Sequence, residues 1–302
     1  MASAGLPNSI QIVEVGPRDG LQNQSVPVST ADKVALIERA IAAGARRVEA
    51  TSFVHPKLVP QMADAEAVMA AVPRRSDVSY IGLVLNRRGF DRAVAAGVDE
   101  IHTGVFTTES FNQKNQGMTV EENLRAWEEI AGLSHRAGLR VSISIAAAFG
   151  CPYEGEVPAS RVIELARRVA EAGPAEIGLG DTIGVGVPTQ VTELLGGIRE
   201  AVGPIPLRCH FHNTRNTGYA NAAAAVAAGA SALDASIGGL GGCPFAPAAT
   251  GNIATEDLTY LMERMGVSTG ISLGDVSRAG LWLADLGLKP EALLGRAGPF
   301  PS

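Results

Sequence analysis

The stretch ERAIAAGARRVEATSF, residues 38–53, carries the pattern that decides the fold. An alanine-rich helical segment ends at Gly44, and a short strand-forming run follows it directly. Four more segments, which begin at residues 90, 134, 166 and 223, repeat this order around Gly97, Gly138, Gly173 and Gly229. Because glycine readily adopts the left-handed conformation that closes a helix, each of these glycines is predicted to end a helix just before a strand.

Eight short apolar segments are predicted as strands that alternate with helices. They span residues 10–15, 47–53, 78–85, 100–107, 140–147, 176–181, 205–212 and 232–237. Strands that alternate with helices of about 10 to 15 residues are typical of parallel βαβ units. Eight such units in 302 residues favour an α/β fold, a closed (β/α)8 TIM barrel. A doubly wound open sheet is the alternative, and the lack of a G-x-G-x-x-G motif after the first strand weakens it.

The domain organisation follows from the absence of any linker or shift in composition along the sequence. Residues 1–302 are therefore predicted to form a single catalytic barrel domain. The segment 271–302 is predicted to be a helical C-terminal extension, which either caps the barrel or forms an oligomer contact. We also expect a homo-oligomer, a dimer.

Composition and charge bear on partners and location. The chain is 46% hydrophobic and has a formal net charge of −6, so it offers no basic field for phosphates and nucleic acid is not expected as a partner. No segment supplies about 18 consecutive apolar residues, so no membrane span is expected. The odd number of cysteines, three, favours reduced thiols, and we expect a cytoplasmic protein.

Two histidines follow an apolar run in RCHFHNTRN, residues 208–216. Side chains alternate across a strand, so His210 and His212 share one face while Phe211 lies on the other. Active sites of TIM barrels lie at the C-terminal ends of the strands, where this pair is predicted to be. The spacing alone leaves two interpretations open: metal ligands, or hydrogen-bonded residues that line the barrel mouth.

Oxygen donors from other strand ends could complete a metal site around the two histidines. Asp19 follows the first strand and Asn252 follows the last, although Asp19 in an Asp-Gly pair also fits an ordinary turn. A mixed nitrogen and oxygen set suits Mg²⁺ or Mn²⁺, and Zn²⁺ stays an alternative.

Three further residues are candidates for chemistry. Glu49 lies within the second strand, where an unpaired carboxylate is costly to bury, and Arg18 is the expected partner. A purely structural ion pair is the alternative. Cys243 lies in a glycine-rich loop, where it is either a proton donor to a substrate or a small buried thiol.

Five stretches taken together resemble the 3-hydroxy-3-methylglutaryl-CoA lyases, members of the DRE-type metal-dependent TIM-barrel group. They are VEVGPRDGLQNQ (13–24), SFVHPKLVPQMADAEAVM (52–69), GCPYEG (150–155), GLGDTIGVG (178–186) and GGLGGCPFAPAATGNIATEDL (238–258). The resemblance implies a retro-Claisen cleavage of an acyl-CoA thioester substrate to acetyl-CoA and acetoacetate. It also implies a place in leucine degradation and ketone body metabolism.

The resemblance further implies roles for the residues that match the family. Four positions correspond to its divalent cation ligands: Asp19, His210, His212 and Asn252. Arg18 matches the arginine that stabilises enolate charge, and Glu49 matches its acidic neighbour. Cys243 matches the cysteine of proton transfer, and Asp181 matches a polar site position without a fixed role.

One segment, HFHNTRNTG (210–218), departs from the family pattern. Asn213, Arg215 and Asn216 replace an acidic, an aromatic and a small residue, and Arg215 adds a cation able to bind a carboxylate or phosphate. A 3-hydroxy-acyl-CoA with another substituent is therefore an alternative substrate. A condensing enzyme of the isopropylmalate and homocitrate synthase group, or a non-catalytic acyl-CoA-binding barrel, are alternative functions. The cysteine loop and the retained ligand set argue against both.

Overall fold

The predicted TIM barrel is confirmed by a computed structural model that describes residues 5–242, 251–298 and 300. Within these residues, eight parallel strands close into a barrel in chain order. The strands are β1 (Gln11–Glu14), β2 (Arg47–Ser52), β3 (Ser79–Leu83), β4 (Glu100–Phe106), β5 (Arg140–Ala146), β6 (Glu176–Asp181), β7 (Leu207–Phe211) and β8 (Ala232–Ala235). Closure comes from the pairing of β1 with β8, in which Val13 is in register with Asp234.

Helices alternate with these strands and continue after the last one. The described α-helices are α1 (Thr30–Ala42), α2 (Ala65–Ala71), α3 (Arg87–Ala95), α4 (Glu109–Gln116), α5 (Val120–Arg136), α6 (Ala159–Ala170), α7 (Pro188–Val202), α8 (Gly218–Ala227), α9 (Thr255–Arg264), α10 (Leu273–Trp282) and α11 (Leu294–Ala297). The last two confirm the prediction of helices in the C-terminal segment. None of the described helices is long and apolar enough to cross a membrane.

The five predicted helix-closing glycines all have positive φ, as the sequence pattern requires. Gly44 has a second role, because a Cβ at this position would lie 2.2 Å from the carbonyl oxygen of Gly270. The absence of a side chain lets the C-terminal segment approach, and Ser272 N–H donates to the carbonyl of Ala43. The guanidinium of Arg39 on α1 lies 4.1 Å from the ring centroid of Trp282 on α10. This cation–π contact stabilises the packing of α10 against α1.

Strand β7 ends one residue earlier than predicted, and the difference matters for the site. Its ladder with β8 ends at the pair His210 and Asp234. His212 instead forms an isolated antiparallel bridge with Asn252, and Ile253 N–H donates to the carbonyl of Phe211. The segment before α9 therefore takes over from β8 as the partner of β7 and brings Asn252 beside the histidines.

The N-terminal end of the barrel interior is filled by a buried cluster of charges. Arg47 Nη2 lies 2.7 Å from Glu100 Oε1 and 3.0 Å from Glu176 Oε2, so one cation is shared by two carboxylates. Arg140 contacts both carboxylates from the rim of the barrel. Beside this cluster, the apolar side chains of Val13, Val15, Ile81 and Ala232 pack together, and Val13 and Ile81 are in register with Arg47 and Glu100. This filling leaves the C-terminal ends of the strands as the place for a site.

The substitution Arg47→Met tests the charge cluster. We expect the free energy of unfolding to fall by about 3–5 kcal/mol, because Glu100 and Glu176 lose their shared cation while they remain buried. Urea denaturation at neutral pH measures the change. The control is Arg167→Met, whose pair with Glu164 is exposed on α6 and should not shift the transition. Equal shifts for the two variants would contradict this account of the cluster.

Candidate active site

The sequence GPRDG, which follows β1, forms a short helical turn over Gly16–Gly20. It fits closely against the end of β8, because a Cβ on Gly20 would lie 2.6 Å from Ser236 Oγ. A Cβ on Gly16 would lie 2.5 Å from the carboxylate of Glu14. The two small residues therefore allow the turn to place Arg18 and Asp19 at the mouth of the barrel.

The structure brings the four predicted metal ligands together. One oxygen of Asp19 and one ring nitrogen each of His210 and His212 all lie within 4.8 Å of one another. The two imidazole centroids are 5.1 Å apart, as expected for neighbours on one face of a strand. Asn252 Nδ2 donates to Asp19 Oδ2 over 2.8 Å and to the carbonyl of Leu240 over 3.0 Å.

The donor set fits a divalent cation. Asn252 Oδ1 and His212 Nδ1 are both buried and have no hydrogen-bond partner among the described residues. Buried polar atoms without partners cost free energy, and a cation would satisfy such acceptors. A carboxylate, two imidazoles and an amide oxygen also make the mixed set that suits a divalent metal.

The protonation states of two ligands, His212 and Asp19, also favour a cation. Burial, helped by the nearby His210, lowers the pKa of His212 to about 4 and keeps its imidazole neutral. Burial opposes ionisation of Asp19, but Arg18 and His210 outweigh it and hold the pKa of Asp19 below its usual range. A neutral imidazole and an ionised carboxylate are the forms that bind metals.

The predicted pair of Arg18 and Glu49 is present beside these ligands. Arg18 Nη2 lies 2.6 Å from Glu49 Oε2, and Arg18 Nη1 donates to Asp19 Oδ1 over 2.7 Å. Burial raises the pKa of Glu49, while the charge of Arg18 opposes that rise. Burial also opposes the charge on Arg18, but the two carboxylates prevail and raise its pKa. Arg18 is therefore a fixed cation in contact with a candidate metal ligand.

Small side chains line the barrel interior near these groups. In β4 and β5 the inward residues Gly104, Ser144 and Ala146 are partly exposed, whereas nearly all their neighbours in the strands are buried. A Cβ on Gly104 would meet only the carbonyl oxygen of Ser144, at 3.6 Å. The C-terminal half of the interior thus has room for a small acyl group.

The HMGL-like family model matches residues 9–281. The chain belongs to the HMGL-like family. The chain is 43% identical to the (R)-citramalyl-CoA lyase of Chloroflexus aurantiacus, over 96% of this chain and 95% of that protein. The chain is 42% identical to the mitochondrial hydroxymethylglutaryl-CoA lyase of Macaca fascicularis, over 91% of this chain and 85% of that protein.

Solved structures agree with this membership. An HMG-CoA lyase from Acinetobacter baumannii, in complex with coenzyme A and 3-methylmalate, superimposes with a TM-score of 0.94 at 36% identity, over 100% of this chain and 98% of that chain. The HMG-CoA lyase of Bacillus subtilis gives a TM-score of 0.93 at 37% identity, over 97% and 98%. These relatives are carbon–carbon lyases, and this HMGL-like chain is an enzyme of the same class.

The carboxylate of Asp181, the last residue of β6, is hydrogen-bonded to the backbone that follows it. Its carboxylate accepts hydrogen bonds from Val185 N–H over 2.9 Å and from Gly186 N–H over 3.0 Å. Burial raises the pKa of Asp181, and these two bonds oppose the rise. In this family member, Asp181 therefore holds the loop between β6 and α7, which forms part of the barrel mouth.

The segment that departs from the family pattern forms a turn against the same loop. Arg215 is exposed, and its Nη1 donates to the carbonyls of Ile183 and Gly184 over 3.0 Å each. Asn216 has a φ of 57°, a left-handed conformation that asparagine tolerates better than most residues. Asn213 Oδ1 accepts from Gly218 N–H over 3.2 Å. The replacements thus tie two mouth loops together through backbone contacts.

Sequence reasoning missed three polar side chains inside the barrel. Asp234 Oδ2 lies 3.2 Å from His210 Nδ1. His102, which had no usable spacing in the sequence, lies 3.0 Å from Ser142 Oγ and contacts Arg208. One sequence signal could have indicated these residues. Each is a polar residue within a strand that is otherwise apolar on both faces.

Two buried carboxylates hold the segment that connects β8 with Asn252. Glu14 Oε1 accepts from Ile237 N–H over 2.9 Å, and Glu256 Oε2 accepts from Gly238 N–H over 3.0 Å. Burial raises the pKa of Glu14 to about 7 and that of Glu256 to about 8, against the hydrogen bonds that each accepts. Cys243, predicted for proton transfer, lies outside the described residues.

The substitution Glu14→Gln tests the effect of this burial on the pH dependence of stability. The folded carboxyl binds its proton more tightly than the unfolded one, so the stability it contributes is full below about pH 4.5 and is lost as pH rises through about 7. Glutamine has no group that ionises in this pH range. The free energy of unfolding of the variant minus that of wild type should therefore rise by up to about 3 kcal/mol from pH 4.5 to 8.

Urea denaturation across this pH range measures the difference. Glu164→Gln, at an exposed site on α6, serves as the matched control and should give a constant difference. A constant difference for Glu14→Gln as well would show that folding does not raise the pKa of Glu14.

Proposed function

We propose that this carbon–carbon lyase cleaves a 3-hydroxy-3-methyl acyl-CoA thioester into acetyl-CoA and an oxo acid, with Mg²⁺ or Mn²⁺ at the ligand set. The observation that carries the proposal is the Arg18 cation, held between Glu49 and the candidate metal ligand Asp19. The relatives named as acyl-CoA lyases, and the solved relative with coenzyme A, support the substrate class.

The proposed reaction breaks the bond between C2 and C3 of the acyl group. The tertiary hydroxyl on C3 loses its proton and becomes the carbonyl of the oxo acid. The electron pair of the broken bond passes to C2 and forms the enolate of the thioester. A proton then adds to C2 and gives acetyl-CoA, so the reaction balances without an oxidant or reductant.

The residues divide this work among them. Asp19, His210, His212 and Asn252 would hold the cation. A divalent cation bound there would supply Lewis-acid stabilisation of negative charge on oxygen. Arg18 stabilises the negative charge of the enolate, as a fixed cation does best in a site of limited solvent access. Glu49 and Asp19 keep the guanidinium in one orientation, so little reorganisation accompanies the change in charge.

Cys243 is proposed as the proton donor to the enolate. Its neighbour Gly242 lies at the mouth, where Asn23 Nδ2 donates to its carbonyl over 2.8 Å. On the far side of the loop, Asn213 N–H donates to the carbonyl of Gly251 over 3.2 Å. Gly242 and Gly251, which flank the segment with Cys243 in the sequence, therefore both contact residues of the barrel mouth.

Two acyl groups are candidates for the substrate. 3-Hydroxy-3-methylglutaryl-CoA would give acetoacetate as the second product, and (R)-citramalyl-CoA, which is one methylene shorter, would give pyruvate. The 43% identity to the (R)-citramalyl-CoA lyase supports inclusion of the shorter acid. Arg215 and Asn213 bind backbone and Asn216 takes a left-handed turn conformation, so we propose that the three residues act on the substrate by fixing the shape of the mouth.

We further propose a single catalytic domain over residues 1–302, a homodimer and a cytoplasmic location. Leu281 and Leu293, exposed on the C-terminal segment, support its use as an oligomer contact. A relative from Danio rerio named as cytoplasmic supports the location. The places in leucine degradation and ketone body metabolism stay predictions.

A coupled assay of acetyl-CoA release tests the proposal. With Mg²⁺, the protein should release acetyl-CoA from 3-hydroxy-3-methylglutaryl-CoA, from (R)-citramalyl-CoA or from both, because both present a tertiary hydroxyl on C3. EDTA should abolish release, and added Mg²⁺ or Mn²⁺ should restore it. Separate detection of acetoacetate and pyruvate identifies the substrate. Cleavage that is insensitive to EDTA would contradict the metal role, and no cleavage of either thioester would contradict the proposed function.

The substitution Cys243→Ser tests the proton donor. We expect turnover to fall by about 10²–10⁴-fold, the range that positioned acids contribute, while the Kd for Mn²⁺ stays within about threefold of wild type. Cys151→Ser is the control, since Cys151 Sγ lies 3.1 Å from Thr108 Oγ1 and a hydroxyl can replace it there. Loss of Mn²⁺ binding in Cys243→Ser would show that this residue supports the ligands instead.

A further inference from the structure

We infer that Asp234 positions His210 as a metal ligand by holding the imidazole in the tautomer with the proton on Nδ1. This inference rests on the proposed metal-dependent function. It adds a positioning residue on β8 that the sequence analysis did not name.

The orientation of the His210 ring carries the inference. Asp234 is in register with His210 across the ladder of β7 and β8. Its Oδ2 lies 3.2 Å from His210 Nδ1, while the other ring nitrogen, Nε2, lies 3.9 Å from Asp19 Oδ2. Nδ1 therefore faces the buried carboxylate, and Nε2 faces the cation ligands.

A neutral imidazole has one nitrogen that donates and one that accepts. A carboxylate can only accept, so its contact with Nδ1 places the proton there and leaves the lone pair of Nε2 for the cation. Carboxylates behind metal-bound histidines commonly fix tautomer and ring orientation in this way. The contact thus selects the form of His210 that can coordinate.

Asp234 is itself held from the opposite side. Its other oxygen, Oδ1, lies 3.4 Å from Arg208 Nε, and the same Nε lies 3.5 Å from Glu176 Oε2. All of these side chains are buried. Arg208 therefore leaves Oδ2 as the oxygen that serves His210.

The second histidine of the pair lacks such support. Among the described residues no side chain accepts a hydrogen bond from His212, and its Nδ1, which has no partner, is left for the cation. Loss of Asp234 should consequently act on one ligand, His210, and leave the other unchanged.

The experiment compares Asp234→Asn with Asp234→Ala in the binding of Mn²⁺ alone, measured by the EPR signal of the free ion. In Asp234→Asn, Arg208 attracts the amide oxygen, so the amide NH₂ faces His210 and donates to Nδ1. That contact moves the imidazole proton to Nε2, the wrong tautomer for coordination, as with the chymotrypsin Asp→Asn variant. We expect the Kd for Mn²⁺ to rise by about 10–100-fold in Asp234→Asn and by less in Asp234→Ala.

A purely structural role predicts the opposite order, because asparagine matches aspartate in shape and alanine does not. Asp234→Asn with wild-type affinity, or with a smaller loss than Asp234→Ala, would overturn the inference. The control is Ser142→Ala, which alters the interior network at Glu100 and His102 without contact to His210. Its Kd should stay within about twofold of wild type.

A second measurement uses the wild-type protein and so does not depend on whether an Asp234 variant folds. In ¹⁵N-histidine NMR spectra of the Mg²⁺-saturated wild-type protein, His210 should carry its proton on Nδ1. Loss of this signal in His210→Gln assigns it, and a proton on Nε2 would overturn the inference.

Failure of the proposed function is distinguishable from failure of this inference. Wild-type protein that binds Mn²⁺ but releases no acetyl-CoA contradicts the lyase proposal, and the order of the two Asp234 variants still decides on the tautomer. Wild-type protein that binds no Mn²⁺ overturns both.

Discussion

One buried cation, Arg47, sets the conditions for the rest of the barrel. Charges inside a protein are costly unless each is paired, and Arg47 is shared by Glu100 and Glu176. The same Glu176 also contacts Arg208, which in turn lies beside Asp234 behind the candidate metal ligand His210. Ion pairs therefore connect the N-terminal end of the barrel interior with the candidate active site. The position of His210 depends on these buried contacts.

Closure of the barrel is the second constraint on the site. Asp19 follows β1 and Asn252 follows β8, and these strands become neighbours only when the sheet closes on itself. His210 lies in β7, next to β8, and His212 follows directly after the end of β7. The candidate ligands thus lie on adjacent strand ends, and Glu14 and Glu256 hold the backbone of the last connection. An open sheet of the same strands would not bring β1 and β8 together.

The sequence allowed the strands, the helix-closing glycines and the shared face of His210 and His212 to be predicted, because each depends on local periodicity. The ligand set needed the family resemblance as well, since Asp19 and Asn252 are far apart in the chain. Asp234 and the Arg208 network could not be predicted in the same way, because their partners depend on register between strands. Arg215 was predicted as a cation for substrate, but its contacts depend on how two loops meet.

The hydrogen bond between Asn252 and Asp19 joins residues 233 positions apart. During synthesis Asp19 therefore leaves the ribosome long before the other candidate ligands have been made. Closing so long a segment carries a large entropic cost and favours late formation in folding. Binding of a cation by all four candidate ligands would therefore require the closed barrel, because a nascent chain presents Asp19 without its partners.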